Sequence, residues 1–142
     1  MKRGEKMKTH EYFMKEALKE AEKAKKLEEI PIGAVIVKDG KIIARGHNLK
    51  EKNKNAINHA EIIAINKASK KLDNWRLTDC DMYVTVEPCV MCAGALISSR
   101  IRKVYIGTMD NTFGAFGSVL DITKYKFNHK VEVETRYITR KM

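Results

Sequence analysis

Proline is almost missing from this chain, with only Pro31 and Pro88 in 142 residues. There is also no low-complexity stretch and no internal repeat, so proline-rich linkers and solenoid arrays are excluded and no internal domain boundary is expected. No apolar run reaches the about 18 residues that a membrane-spanning helix needs. The N-terminus is basic at Lys2, Arg3, Lys6 and Lys8, but no apolar segment of signal-peptide type follows, so the expected location is the cytoplasm. Cysteine is scarce and odd in number, at three, which argues against a disulfide framework and fits a reducing compartment. Acidic residues are the minority charge, 18 against 28 basic, for a net +10. Such a surplus suits a protein that meets phosphate, although a Lys-, Ile- and Asn-rich composition also arises from genome base content, so charge alone leaves nucleic acid open. With 44% hydrophobic content the chain, residues 1–142, is expected to be a single domain around one core.

The chemistry concentrates in two short segments, His59-Ala60-Glu61 and Pro88-Cys89-Val90-Met91-Cys92. A Cys-x-x-Cys pair alone serves redox dithiols and structural zinc equally well. A histidine and a carboxylate upstream change the reading. Zinc takes thiolate and imidazole ligands, and three protein ligands instead of four leave a coordination position open for water, which marks a catalytic site. If a helix starts near Pro88, both sulfurs lie on one face of its first turn, where unpaired N–H groups and the positive dipole end favour thiolate. His59 opens the apolar-periodic run Ile62, Ile63, Ile65, Ala68 and Leu72, a second helix whose N-terminus can meet the same ion. Glu61, two residues on, can handle the proton of zinc-bound water without ligating zinc. A closed structural site would need another ligand, and Cys80, near the expected start of a strand, is the only spare thiol.

Around these segments the pattern is that of a layered α/β domain. Phe13, Ala17, Leu18, Ala21 and Ala24 recur at helical intervals between Thr9, a candidate N-cap, and Leu27. Residues 33–37 and 41–46 flank Asp39-Gly40, a strong hairpin signal. After the His59 helix, residues 82–86 read as a buried strand, 89–98 as a helix, 102–107 as a strand in parallel crossover with the previous one, and 131–135 as a last strand. The apolar run Val90 to Ile97 fits a helix buried on several sides, by its own core or by a partner subunit. Lys50, Lys52 and Lys54 form a basic loop ahead of His59 that could touch RNA or simply be solvated. Asn48 offers both a donor and an acceptor to a base edge, and equally suits a turn after a strand.

The segments Ile30 to Val35, Gly46-His47-Asn48, His59 to Ile62, Asn74 to Leu77, Tyr83 to Ala95, Ser99-Arg100-Ile101 and Gly114 to Ser118 together resemble bacterial tRNA-specific adenosine deaminases of the cytidine deaminase-like zinc superfamily. The resemblance covers residues from about 8 to about 135. It implies a three-layer α/β/α fold around a central mixed five-stranded sheet, one Zn2+ per subunit on His59, Cys89 and Cys92, and Glu61 as general acid and base. It further implies a homodimer whose interface helps shape each active site. Adenosine at the first, wobble position of the tRNA anticodon loop would be converted to inosine. Asn48 would hold the purine edge, Ala60, Ile32 and Val86 would line the pocket, and Asp110 would lie near a flanking nucleotide. The family's C-terminal helix, which helps hold the anticodon loop, has no counterpart in Thr135 to Met142, and Thr112 stands where a basic residue is common. Deamination of a small nucleobase or nucleotide (guanine, cytosine, deoxycytidylate) is the alternative, and a noncatalytic RNA-binding partner with a retained zinc site is a third.

Overall fold

The computed structural model describes residues 9–135. The first helix, α1, runs His10–Lys26. Thr9 caps it as expected, its hydroxyl accepting the Tyr12 N–H at 3.1 Å, and Lys23, Lys25 and Lys26 sit at the negative end of the helix dipole. Strands β1 (Gly33–Lys38) and β2 (Lys41–His47) form the hairpin, turned by Asp39 and Gly40 at φ 52° and 74°. Positive φ at both central residues gives the turn whose twist matches paired strands. Helix α2 is Ala60–Leu72, β3 is Cys80–Val86, α3 is Val90–Ser98 and β4 is Lys103–Thr108. A 3-10 turn at Ile122–Lys124, which the sequence pattern does not announce, precedes β5 (Glu132–Glu134). Each expected element forms, with ends displaced by a residue or two.

The sheet order is β2-β1-β3-β4-β5. β1 is antiparallel to both β2 and β3, whereas β3, β4 and β5 are parallel, so the sheet is mixed and five-stranded as the resemblance implies. Alternation along β1 shows why it sits inside. Val35 and Val37 pack with Phe13, Met14 and Ala17 of α1, while Ala34 and Ile36 join the larger core on the α2 and α3 side. A strand apolar on both faces is stable only between two helical layers. α1 lies against β1, β2 and β3 on one face, and α2 packs on the other.

This layering puts one end of the sheet to use. Register pairs Gly33 with His47, Ala34 with Val84 and Val86 with Thr108, so Ile32, Asn48, Val86 and the segment after Thr108 meet at the same edge. The N-termini of α2 and α3 arrive there too. Gly46 permits the close approach: a Cβ at that position would overlap the Ala60 carbonyl oxygen at the start of α2. Cys80 is fully buried in the larger core. Lys2, Arg3, Lys6 and Lys8, and residues 136–142 of the Thr135 to Met142 tail, lie outside the described residues.

Candidate metal centre

His59 and Cys89 are the N-cap residues of α2 and α3, with extended backbones at φ −78° and −73°, and neither side chain caps its own helix. An N-cap side chain that does not turn back onto the helix projects outward from its end, so the two helices aim an imidazole and a thiol at one point. Cys92, in the first turn of α3, adds the second sulfur. His59 Nδ1 lies 3.8 Å from Cys89 Sγ and 3.7 Å from Cys92 Sγ. All three donor atoms fall within 4.8 Å of one another. Tetrahedral zinc with ordinary bond lengths to nitrogen and sulfur separates the two donors by about 3.6 Å. The donor set and its spacing therefore fit zinc, with three protein ligands and room for a fourth, exogenous one.

The electrostatics favour the thiolate at Cys89. Cys89 is pushed down to about 5 by the hydrogen bond with Cys92, by the backbone N–H groups of Cys92 and Met91 at the helix start, and by His59. Cys92 is pushed up by Cys89 and by burial. Glu61 is buried at 4% exposure, and that burial, with the Cys89 charge, pushes its carboxyl up to about 7. A carboxyl balanced near neutral pH beside the donor triad is suited to accept and return a proton.

The other expected site residues surround this point. Asn48 is buried at 5% exposure, its backbone N–H donating to the Ile32 carbonyl at 3.2 Å. Among the described residues no protein group hydrogen-bonds its side-chain amide. Ala60 is buried, and Ile32 and Val86 are half-buried at the same sheet edge. Asp110 turns back into its own loop, accepting from Thr112 N–H at 2.9 Å and Phe113 N–H at 3.3 Å.

Two further carboxylates, to which the sequence assigns no role, shape the rim. Glu87, 3% exposed, accepts N–H groups from Asp110 (3.0 Å), Phe116 (2.8 Å) and Ser118 (3.1 Å). It ties the 110–118 loop to the residue before Pro88. Gly114 lies so close to the Glu87 carboxylate that a Cβ would overlap it. Glu29 accepts from Glu51 N–H (3.0 Å) and Lys52 N–H (2.6 Å), fixing the basic loop. A glutamate before Pro-Cys was a visible signal for the first; nothing local marked the second. A separate pocket of about 460 Å³, lined by Trp75, Gly94, Ile97, Arg100 and Phe127 among others, includes none of the three donors.

The family model of the cytidine and deoxycytidylate deaminase zinc-binding region matches residues 7–108. A tRNA-specific adenosine deaminase of Streptococcus pyogenes serotype M1 is 54% identical over 124 residues, covering 87% of this chain and 72% of the relative. The chain belongs to the tRNA-specific adenosine deaminase family. A solved structure from work on A-to-I editing by tRNA:A34 deaminases at the wobble position of transfer RNA superposes with a TM-score of 0.86 at 40% identity, covering 89% of this chain and 92% of that one. The guanine deaminase of Bacillus subtilis shares the fold less closely, with a TM-score of 0.72, 32% identity and coverage of 84% and 87%. The tRNA-specific adenosine deaminase family is thus the nearer of the two branches, and its zinc region contains the donor triad.

Proposed function

We propose that this protein hydrolytically deaminates adenosine to inosine at the wobble position of a tRNA anticodon loop. The observation that carries this is the 54% identity to a tRNA-specific adenosine deaminase, over a segment that includes the whole donor triad and its rim. The chain is read as one zinc-dependent deaminase domain. His59, Cys89 and Cys92 would hold one zinc per subunit, and zinc there supplies Lewis acidity to water entering the site.

The protein's own groups do the rest. Glu61 takes a proton from the attacking water and delivers it to the adenine ring nitrogen as oxygen adds at C6; it then takes the proton of the new C6 hydroxyl and passes it to the amino group, so that the C6–N bond breaks, ammonia leaves and the C6 carbonyl of inosine forms. The Asn48 amide, which no described residue hydrogen-bonds, pairs with the purine edge. Ala60, Ile32 and Val86 wall the base in and exclude water. Asp110 holds the rim loop against the flanking nucleotide. The basic loop of Lys50, Lys52 and Lys54 faces the phosphates, which adds salt-sensitive affinity.

A homodimer is part of the reading. Supporting it, Val90 is 59% exposed on α3, an apolar helix that buries Cys92, Ala93, Leu96 and Ile97 and leaves Met91, Gly94 and Ala95 half-buried, and the nearby pocket is rimmed by exposed Trp75 and Phe127. A cytoplasmic location is likewise proposed, since thiolate ligands survive in a reducing compartment. Among the described residues no helix is long and apolar enough to cross a membrane. The second reading, deamination of free guanine, is favoured by the likeness to the Bacillus subtilis guanine deaminase. Glu61→Gln is the test of the site assignment: zinc content should match the parent while kcat falls by roughly 10²- to 10⁴-fold. Parental turnover would remove Glu61 from its role.

A further inference from the structure

The 110–118 loop carries two phenylalanines with opposite fates. Phe116 is buried at 4% exposure and joins the larger core, whereas Phe113 is 69% exposed and stacks on no other ring among the described residues. A single exposed phenyl ring on a protein surface says little by itself. Two features of its surroundings say more.

First, the backbone beneath Phe113 is fixed. Its own N–H is held by Asp110 Oδ1, the Gly114 N–H by the Asp110 carbonyl at 2.9 Å, and the Ala115 N–H by the Pro88 carbonyl at 2.9 Å. Glu87 gathers the Asp110, Phe116 and Ser118 N–H groups onto one carboxylate. The ring therefore stands on a rigid base, and ordering it on binding costs little. Second, that base is bonded to Pro88, the residue immediately before the Cys89 thiol. The segment that carries this exposed ring is thus joined by a backbone hydrogen bond to the residue next to Cys89.

A free base enclosed by the pocket needs nothing at the rim. A base within a strand brings neighbours on either side, and a neighbour turned out of the anticodon stack exposes a π face. We propose that Phe113 is a stacking platform for a nucleotide adjoining the target adenosine, and so a determinant of which RNA sequences are accepted. This rests on the RNA-editing reading. Flat aromatic side chains receive bases in this way in many single-strand binders, with little dependence on base identity beyond stacking strength.

The test is steady-state inosine formation on an anticodon stem-loop by the zinc-loaded full chain, as wild type, Phe113→Ala and Phe113→Trp. Loss of one base–aromatic stack should raise KM about 5- to 150-fold with kcat within twofold, and Phe113→Trp should restore wild-type KM. Placing an abasic residue at each flanking position in turn should, at one of them, erase the difference between wild type and Phe113→Ala. Equal KM values for wild type and Phe113→Ala, or a difference that survives at every abasic position, would overturn the proposal. So would a change of oligomeric state in Phe113→Ala by sedimentation, since the ring would then be a subunit contact. If wild type forms no inosine on any stem-loop, the RNA-editing reading itself fails, a result separate from any Phe113 effect.

Discussion

Replacing Glu87 tests whether the rim of the site is built on one carboxylate. Its two oxygens serve three N–H groups: Oε1 takes Asp110, and Oε2 takes Phe116 and Ser118. In Glu87→Ala all three lose their acceptor. The Phe116 bond is buried, so its N–H would cost about 1–3 kcal/mol if left unpaired, and the two partly buried groups, which water can reach, would cost about 0.5–1 kcal/mol each. The total is about 2–5 kcal/mol, a large share of the 5–15 kcal/mol typical of a domain. In Glu87→Gln a carbonyl in place of Oε2 keeps two bonds but sets an amide donor against the Asp110 N–H, a loss of about 2 kcal/mol. For a chain of this size that corresponds to roughly 6–10 °C in thermal midpoint. The assay is thermal unfolding of the zinc-loaded protein, with hydrogen exchange read at Asp110, Phe116 and Ser118. Exchange at these amides should accelerate more than in the central strand β3. A Tm change under about 2 °C in both variants, with exchange unaltered, would refute the clamp.

Three further outcomes follow from the same structure. Cys92→Ala should lose bound zinc and stability together, measured by metal content and Tm, because metal binding is coupled to folding at such sites; retained stoichiometric zinc would contradict the ligand assignment. Glu16 titrates below its ordinary value through Lys19 and Arg45; Glu20, although burial opposes it, does so through Lys23 and His47. Folded values below the unfolded 4.5 mean that this stabilisation is present above pH 4.5 and lost as pH falls below it, so Glu20→Gln should flatten the acid limb of urea midpoints against pH; an unchanged limb would refute it. Gly46→Ala should push on the Ala60 carbonyl beside His59 and weaken zinc affinity by more than about tenfold. Parental affinity in a chelator competition would show that the close approach does not position the histidine.

Much of this was legible in the chain. Helices and strands could be placed because their apolar residues repeat at the right periods, and the Asp39-Gly40 turn marked its hairpin outright. The Cys89 and Cys92 pair was readable from its spacing at a helix start, whereas its meeting with His59, distant in sequence, was legible only through the family resemblance. What sequence concealed is long-range. The insertion of β1 between β2 and β3 depends on how α1 and α2 share the two faces of the sheet, and no local pattern records that. Glu87 and Glu29 act on backbone N–H groups from distant loops, so side-chain identity gives no hint of their partners. His47, outside the donor triad, is paired with Glu20 at 3.0 Å, a contact made only when α1 lies across the end of β2.

The central claim is that this zinc site acts on an adenosine presented by RNA rather than on a free base. The direct measurement compares kcat/KM of the zinc-loaded protein for a stem-loop bearing adenosine at the wobble position with kcat/KM for free guanine, under one buffer and salt. The account predicts inosine from the stem-loop and no ammonia release from guanine above background. Ammonia from guanine with no inosine in the RNA would contradict it and move the protein to the free-base branch.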